Sequence, residues 1–319
     1  MSEPASMSSN GEPAVSPLFV HYFTLDVFTD QRFGGNPLAV ILDARGLTSE
    51  EMLQITREFN FSESTFVLPA EDDVMTRRVR IFTPGGEVPF AGHPTVGTAI
   101  ALVFSGDVTT IGDEVQMVLG ETVGPVPVTV RLRDGVPEWA QLSTAMMPVE
   151  QPAVDLAVVA EMLGLAASDF MTTDGYAPTA TSCGLPFLIV PLASRDAVAR
   201  ARVDDAVFAR TLRGSACAMI MVFAKVDDVP GVDVHCRVFC PDDGVPEDPA
   251  TGSANAALGG YLAARTPRTG TLRWVSQQGI EMGRPSRLEI EVDKRGDAIT
   301  AVRVGGNAVL MSEGRLRVR

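Results

Sequence analysis

Residues Arg80–Ala101 read RIFTPGGEVPFAGHPTVGTAIA, and residues Arg237–Ala257 read RVFCPDDGVPEDPATGSANAA. Both stretches pass through an arginine-led, strand-like run, a turn rich in proline and glycine or aspartate, and a glycine-containing helix start. Arg80 aligns with Arg237 at an offset of 157, and His93 with Asp248 at an offset of 155, a two-residue difference assigned to the intervening loop. Upstream, Gly35-Asn36-Pro37-Leu38-Ala39-Val40-Ile41 echoes Gly184-Leu185-Pro186-Phe187-Leu188-Ile189-Val190, each a glycine-x-proline turn followed by an apolar run. Three matching blocks in one order point to a single α/β unit present twice.

The repeat predicts an N-terminal lobe over residues 18–136 and a C-terminal lobe over 137–319, with the last strand a candidate to return to the first lobe. The boundary is placed at Asp134-Gly135-Val136-Pro137. Thr48–Phe59, TSEEMLQITREF, opens on a capping residue and an acidic first turn and carries apolar residues at helical spacing. Asp155–Gly164 repeats that character and ends on a glycine. Asn60–Leu68 leaves the first helix and enters a strand. Alternating, β-branched runs in both halves favour a helix packed on a curved sheet.

Composition narrows the function classes. The chain has 319 residues, 45% hydrophobic and 21% charged, with a formal net charge of −14. That field repels polyanions, and the short Arg77, Arg78, Arg80 run is no basic stripe, so no nucleic-acid partner is expected. No apolar stretch approaches the roughly 18–20 residues that span a bilayer, so no membrane partner is expected either. Residues 1–17, MSEPASMSSNGEPAVSP, have no apolar core and no basic start and read as a disordered leader, not a secretory signal. A cytoplasmic chain is the expectation. Four cysteines, Cys183, Cys217, Cys236 and Cys240, then read as buried structural thiols. Cys236 and Cys240 are expected on one face of a shared strand, with His235 on the other. No metal site is expected, because further ligands are not near them in sequence.

The chemistry concentrates at two helix starts. Gly92-His93-Pro94-Thr95 and Asp248-Pro249-Ala250-Thr251-Gly252-Ser253 leave backbone N–H groups unobstructed at the positive end of a helix dipole. Two such starts facing one another across a cleft suit a carboxylate-bearing substrate. His93 and Asp248 fall at equivalent positions in this alignment, whereas His21 and His235 read as ordinary surface or core histidines. Glu63 stands where a polar loop meets an apolar strand, between Phe61 and Phe66, as a carboxylate open to partial desolvation and proton transfer.

GNPLAVI, NFSESTFVLP, RIFTPGGEVPFAGHPTVGTA and DPATGSANAALGGYL, in that order, resemble the PhzF-like (phenazine-biosynthesis isomerase/epimerase) family over nearly the whole chain after residue 17. The resemblance implies an α+β fold of two pseudo-symmetric lobes, each a curved sheet wrapped around a central helix, as in diaminopimelate epimerase. It implies a homodimer and a cofactor-independent isomerase that moves a proton on a small carboxylate-bearing substrate, similar to trans-2,3-dihydro-3-hydroxyanthranilate isomerase. Carried motif by motif, the catalytic residues fall on Glu63, His93, Asp248 and Ser253. Substrate binding falls on Gly92, Gly252, Ser62 and Thr251. Ser64 replaces a threonine common in the family and keeps the hydroxyl. Related racemases use a cysteine at each helix start; here neither start has one. An amino-acid racemase or epimerase working without thiols, and a non-catalytic small-molecule-binding protein, are the alternatives. The substrate itself is not legible in the sequence.

Overall fold

The computed structural model describes residues 18–215, 217–242 and 246–319. The leader expected over 1–17 lies outside the described residues, as do 243–245 of the second repeat copy. The first lobe runs β1 (Phe19–Val27), β2 (Asn36–Ile41), α1 (Ser49–Phe59), β3 (Glu63–Leu68), β4 (Arg77–Thr83), β5 (Gly86–Val88), α2 (Gly92–Phe104), β6 (Glu114–Glu121), β7 (Gly124–Arg133) and β8 (Val136–Ser143). The second runs β9 (Val149–Ala153), α3 (Leu156–Leu163), β10 (Thr179–Ser182), β11 (Pro186–Pro191), α4 (Arg195–Arg200), α5 (Asp205–Thr211), β12 (Met219–Lys225), β13 (Val234–Phe239), β14 (Glu247–Asp248), α6 (Gly252–Ala264), β15 (Gly270–Gln278), β16 (Ser286–Arg295) and β17 (Ala298–Arg317).

Each lobe is a curved sheet around one apolar helix. In α2 every residue from Gly92 to Val103 is buried, and in α6 every residue from Gly252 to Ala263. A helix that is apolar all round cannot lie on a surface; it must be enclosed. Small residues let the sheet come close: a Cβ added to Gly259 would sit 2.6 Å from Ile290 Cγ2. The strands supply the matching half of the pattern. In β16, Leu288, Ile290 and Val292 alternate inward with partly exposed polar neighbours between them. By contrast α1 is amphipathic and lies outside. Its N-cap, Thr48, forms a reciprocal capping box with Glu51, and α3 is capped by Asp155 and stopped by Gly164 in the left-handed conformation.

The two lobes share one pairing order. From β2 through β3, β4, β6, β7 and β8 the pairings run parallel, antiparallel, parallel, antiparallel, antiparallel. From β11 through β12, β13, β15, β16 and β17 they run identically. The long strand β17 joins the lobes. Its first part pairs with β16 and β8, and its second part pairs with β1, closing the first lobe into a ring around α2. Asp134 and Gly135, both with positive φ, form the hairpin turn between β7 and β8. The stretch Asp134–Pro137, where the boundary is expected, is thus part of the β7–β8 hairpin. No helix among the described residues is long and apolar enough to cross a membrane.

One expected alignment is corrected. In each lobe an arginine-led strand turns back on a short partner, with Ile81 opposite Val88 and Val238 opposite Asp248. The same bidentate ion pair closes each hairpin, Arg80 Nε to Glu87 Oε1 at 2.8 Å and Arg237 Nε to Glu247 Oε1 at 2.8 Å. Pro89–Ala91 in one lobe and Pro249–Thr251 in the other then lead into the helices. Asp248 is therefore equivalent to Val88, and His93 to Ser253. The proline after His93 and the proline after Asp248 invited the other register, but the length difference falls between β13 and β14, which more residues separate than separate β4 and β5.

Candidate active site

The two helix starts do not face each other across open space; they touch. A Cβ on Gly92 would lie 2.6 Å from Gly252 Cα and 2.8 Å from Ser253 N, so both positions need glycine for backbone-to-backbone approach. Beside this contact a cavity of about 240 Å³ opens between the lobes, lined by Ser62, Glu63, Asp248, Thr251 and Ser253 on its polar side. Leu185, Phe187 and Met219 of the second lobe, with Val88, Pro89 and Phe90 of the first, form its apolar side. A larger depression of about 720 Å³ lies elsewhere and contains none of these residues; within it Arg45 is paired with Asp43 and His21 with Glu313.

Glu63 is the first residue of β3, held beside Leu38 by parallel pairing with β2, and its side chain is 17% exposed. His93, the second residue of α2, does not line the cavity. It is buried behind Glu63, with Nε2 3.8 Å from Glu63 Oε2, too far for a direct hydrogen bond. Burial pushes the His93 pKa down to about 3, opposed by a hydrogen bond to the Pro37 backbone, so the imidazole is neutral at pH 7. The ring nitrogen turned to Glu63 presents an N–H or a lone pair according to the tautomer.

Asn36 connects these groups, and nothing in the sequence pattern had assigned it a role. It is fully buried at the start of β2. Its Nδ2 lies 3.1 Å from His93 Nδ1, 2.8 Å from Asp248 Oδ1 and 3.0 Å from the Ala250 carbonyl, and its Oδ1 accepts from Ser62 Oγ at 2.9 Å. The available signal was a polar residue introducing an apolar strand where the second copy has Leu185. Asp248 is held from its other side as well: Thr251 Oγ1 donates to Oδ2 at 2.5 Å, and Gln278 Nε2 donates to the Asp248 carbonyl at 2.7 Å.

The helix starts are poor in side-chain caps. Neither Ala91 nor Thr251 caps its own helix, so first-turn N–H groups stay available near Ser253. All four cysteines are buried. Cys236 meets Ser276 Oγ at 3.2 Å, but β13 ends at Phe239, so Cys240 lies beyond the strand and lines the cavity. His235, expected as an ordinary residue, is buried and bonded to Glu281 at 2.8 Å.

The site is chemically lopsided although its frame is symmetric. Glu63 pairs with Leu38 as Met219 pairs with Phe187, so the acid of one lobe is matched by a thioether in the other. Asp248 is likewise matched by Val88. The arrangement offers one carboxylate from each lobe, at non-equivalent places, around a small cavity with an apolar wall.

Comparison with known proteins agrees. Residues 25–314 match the family described as phenazine biosynthesis-like protein. An uncharacterized isomerase of Mesorhizobium japonicum is 38% identical over 93% of this chain and 98% of its own length. A trans-2,3-dihydro-3-hydroxyanthranilate isomerase of Pseudomonas aeruginosa is 35% identical over 92% of this chain and 98% of its own. The crystal structure of a PhzF-family phenazine biosynthesis protein of Bacillus anthracis superposes with a TM-score of 0.83 at 27% identity, covering 94% of this chain and 99% of that one. With the fold, the motifs and near-complete coverage in accord, this chain is an isomerase of the phenazine biosynthesis-like (PhzF) family.

Proposed function

We propose that the cavity carries out a cofactor-independent proton shift on a small carboxylate-bearing substrate, with Glu63 as the base that removes a proton from carbon and returns one elsewhere. The observation that carries this reading is the mismatch of Glu63 with Met219 at equivalent places in the two lobes. A racemase that approaches a carbon from both faces needs a proton-transfer group on each side. Here the position facing Glu63 through the pseudo-symmetry holds a thioether, which cannot exchange a proton.

The surrounding groups fit the role. His93, neutral at pH 7 and buried behind Glu63, packs against the carboxylate without placing a second charge beside it. Asn36 holds His93 and Asp248 in one network. Ser253 and the amides at the start of α6 are suited to a substrate carboxylate. Acid–base catalysis of this kind supplies about 10²–10⁴ in rate, and fixed dipoles in a small, partly apolar cavity add stabilisation of developing negative charge.

The test is Glu63→Gln assayed on trans-2,3-dihydro-3-hydroxyanthranilate, the molecule in the name of the Pseudomonas aeruginosa relative, and on a panel of small cyclic carboxylates. A loss of about 10²-fold or more in kcat, with the melting temperature kept, supports the base. Turnover at the wild-type rate removes it. Epimerisation with Asp248 as a second acid is the competing reading, since Asp248 reaches the same cavity from the other lobe. Tight binding without turnover across the panel would instead favour a ligand-binding protein.

A further inference from the structure

Each lobe braces its helix start from the end of a strand, and the two braces are built from different residues. In the second lobe the brace is Gln278, the fully buried last residue of β15. Its Oε1 accepts from Thr251 N and from Asn255 Nδ2, both at 3.1 Å, and its Nε2 donates to the Asp248 carbonyl at 2.7 Å. In the first lobe the equivalent strand, β6, ends at Glu121. Leu119 lies opposite Arg77 as Ser276 lies opposite Val234, and Glu121 and Gln278 each follow two residues later. Their partners match too: Thr95 stands three residues into α2, and Asn255 three residues into α6.

The hydrogen count at Glu121 decides its state. Glu121 Oε1 is 2.6 Å from Thr95 Oγ1, and Thr95 Oγ1 is 2.7 Å from the Ala91 carbonyl. The threonine hydroxyl owns one hydrogen. Were Glu121 ionised, two acceptors would compete for it, and one contact would be two lone pairs pressed together. Its Oε2, buried and with no hydrogen-bond partner among the described residues, would hold charge in an apolar setting. A protonated Glu121 resolves the contacts in series: carboxyl O–H to Thr95, and Thr95 O–H to Ala91. A neutral carboxyl has nearly the shape of the carboxamide that the other lobe uses.

We propose that Glu121, as a neutral acid, is the first lobe's counterpart of Gln278, a positioning residue that fixes the Ala91–His93 start of α2, and that its ionisation loosens this start while leaving that of α6 in place. Burial raises the Glu121 pKa to about 8, with the Thr95 hydrogen bond acting in the opposite direction. The charged groups of the packed elements are committed elsewhere. Arg78 and Arg80 of β4 pair with Glu71 and Glu87, Arg77 reaches the Asp107 carbonyl, and Arg131 and Arg133 of β7 pair with Glu114 and Glu138. His93, the titratable residue of α2, faces Glu63 and Asn36.

The test is a methyl NMR titration of the intact protein from pH 6 to 9.5, which needs no substrate and so stands apart from the assignment of the reaction. The Ala91 and Thr95 methyls should shift together with a midpoint near 8, while those of Thr251 and Ala254 stay still. In Glu121→Gln the first pair should become pH-independent; in Gln278→Glu the second pair should begin to titrate. Ala91 and Thr95 methyls that do not move in the wild type, or that still move in Glu121→Gln, overturn the proposal. A silent second pair in Gln278→Glu breaks the equivalence of the two braces.

Discussion

Asn36 Nδ2 donates to Asp248 Oδ1 at 2.8 Å, a hydrogen bond from the first residue of β2 in one lobe to the last residue of β14 in the other. The same amide reaches His93 and Ala250, so one buried side chain fixes the geometry of both carboxylate neighbourhoods. Replacing it with alanine strips partners from several buried polar atoms at once. Asn36→Ala should lose about 1–3 kcal/mol of stability in a urea titration, and at least tenfold in kcat. Unchanged stability would show that the network contributes nothing net.

The contact of the helix starts makes a sharper steric prediction. In Gly92→Ala the new methyl meets the Gly252 backbone at 2.6 Å, and backbone cannot step aside. In Gly97→Ala the methyl meets Leu38 Cδ2 at 2.6 Å and Val27 Cγ2 at 2.7 Å, both side-chain ends that can move. Gly92→Ala should therefore cost more than the roughly 1–3 kcal/mol typical of overpacking, and Gly97→Ala should fall within it, as read by thermal melts of the two variants side by side.

His93 gives the fold an acid-side weakness. Its folded pKa, near 3, lies below the ordinary value of 6.5, so below pH 6.5 the unfolded chain binds a proton that the folded one refuses. Stability should then fall as pH drops from 6.5 towards 3, by at most about 1.4 kcal/mol per pH unit from this group. His93→Asn should flatten that slope. An unchanged slope would mean that the imidazole is not held neutral.

The paired hairpin arginines differ in depth. Arg237 is buried, pairs with Glu247 and also donates to the carbonyls of Val198, Ala199 and Ala201. Arg80 pairs with Glu87 nearer the surface. Arg237→Met should destabilise by up to about 3–5 kcal/mol, because it strands a partly buried carboxylate and removes the donor to three backbone carbonyls, and Arg80→Met should cost clearly less. Equal costs in denaturant titrations would contradict the burial difference.

Much of this architecture is legible in the residues. The capping box at Thr48 and Glu51, the Asp155 and Gly164 ends of α3, and the glycine-x-proline turns before β2 and β11 carry local signals that packing did not override. Glu63 also stands where its junction of polar loop and apolar strand placed it. The alignment of His93 with Asp248 misled, because two proline-containing dipeptides look alike while hydrogen-bond register is counted from the hairpins and the helix glycines. Asn36, Glu121 and Gln278 stayed hidden for a different reason. A buried polar side chain has no local signature, and its role is defined by partners far along the chain. Cys240 was misplaced because strand β13 stops one residue earlier than its alternating pattern suggests.

The fate of the abstracted proton separates a proton shift by one carboxylate from inversion by two acids. Wild-type enzyme, incubated in D₂O with trans-2,3-dihydro-3-hydroxyanthranilate, should form the new C–H or C–D bond at a carbon other than the one that lost hydrogen. That bond should carry the abstracted hydrogen where Glu63 delivers it directly and deuterium where Glu63 exchanges first, and Glu63→Gln should give no product. Deuterium returned to the original carbon with inverted configuration, or turnover that persists without the Glu63 carboxylate, would contradict a single base working from one lobe.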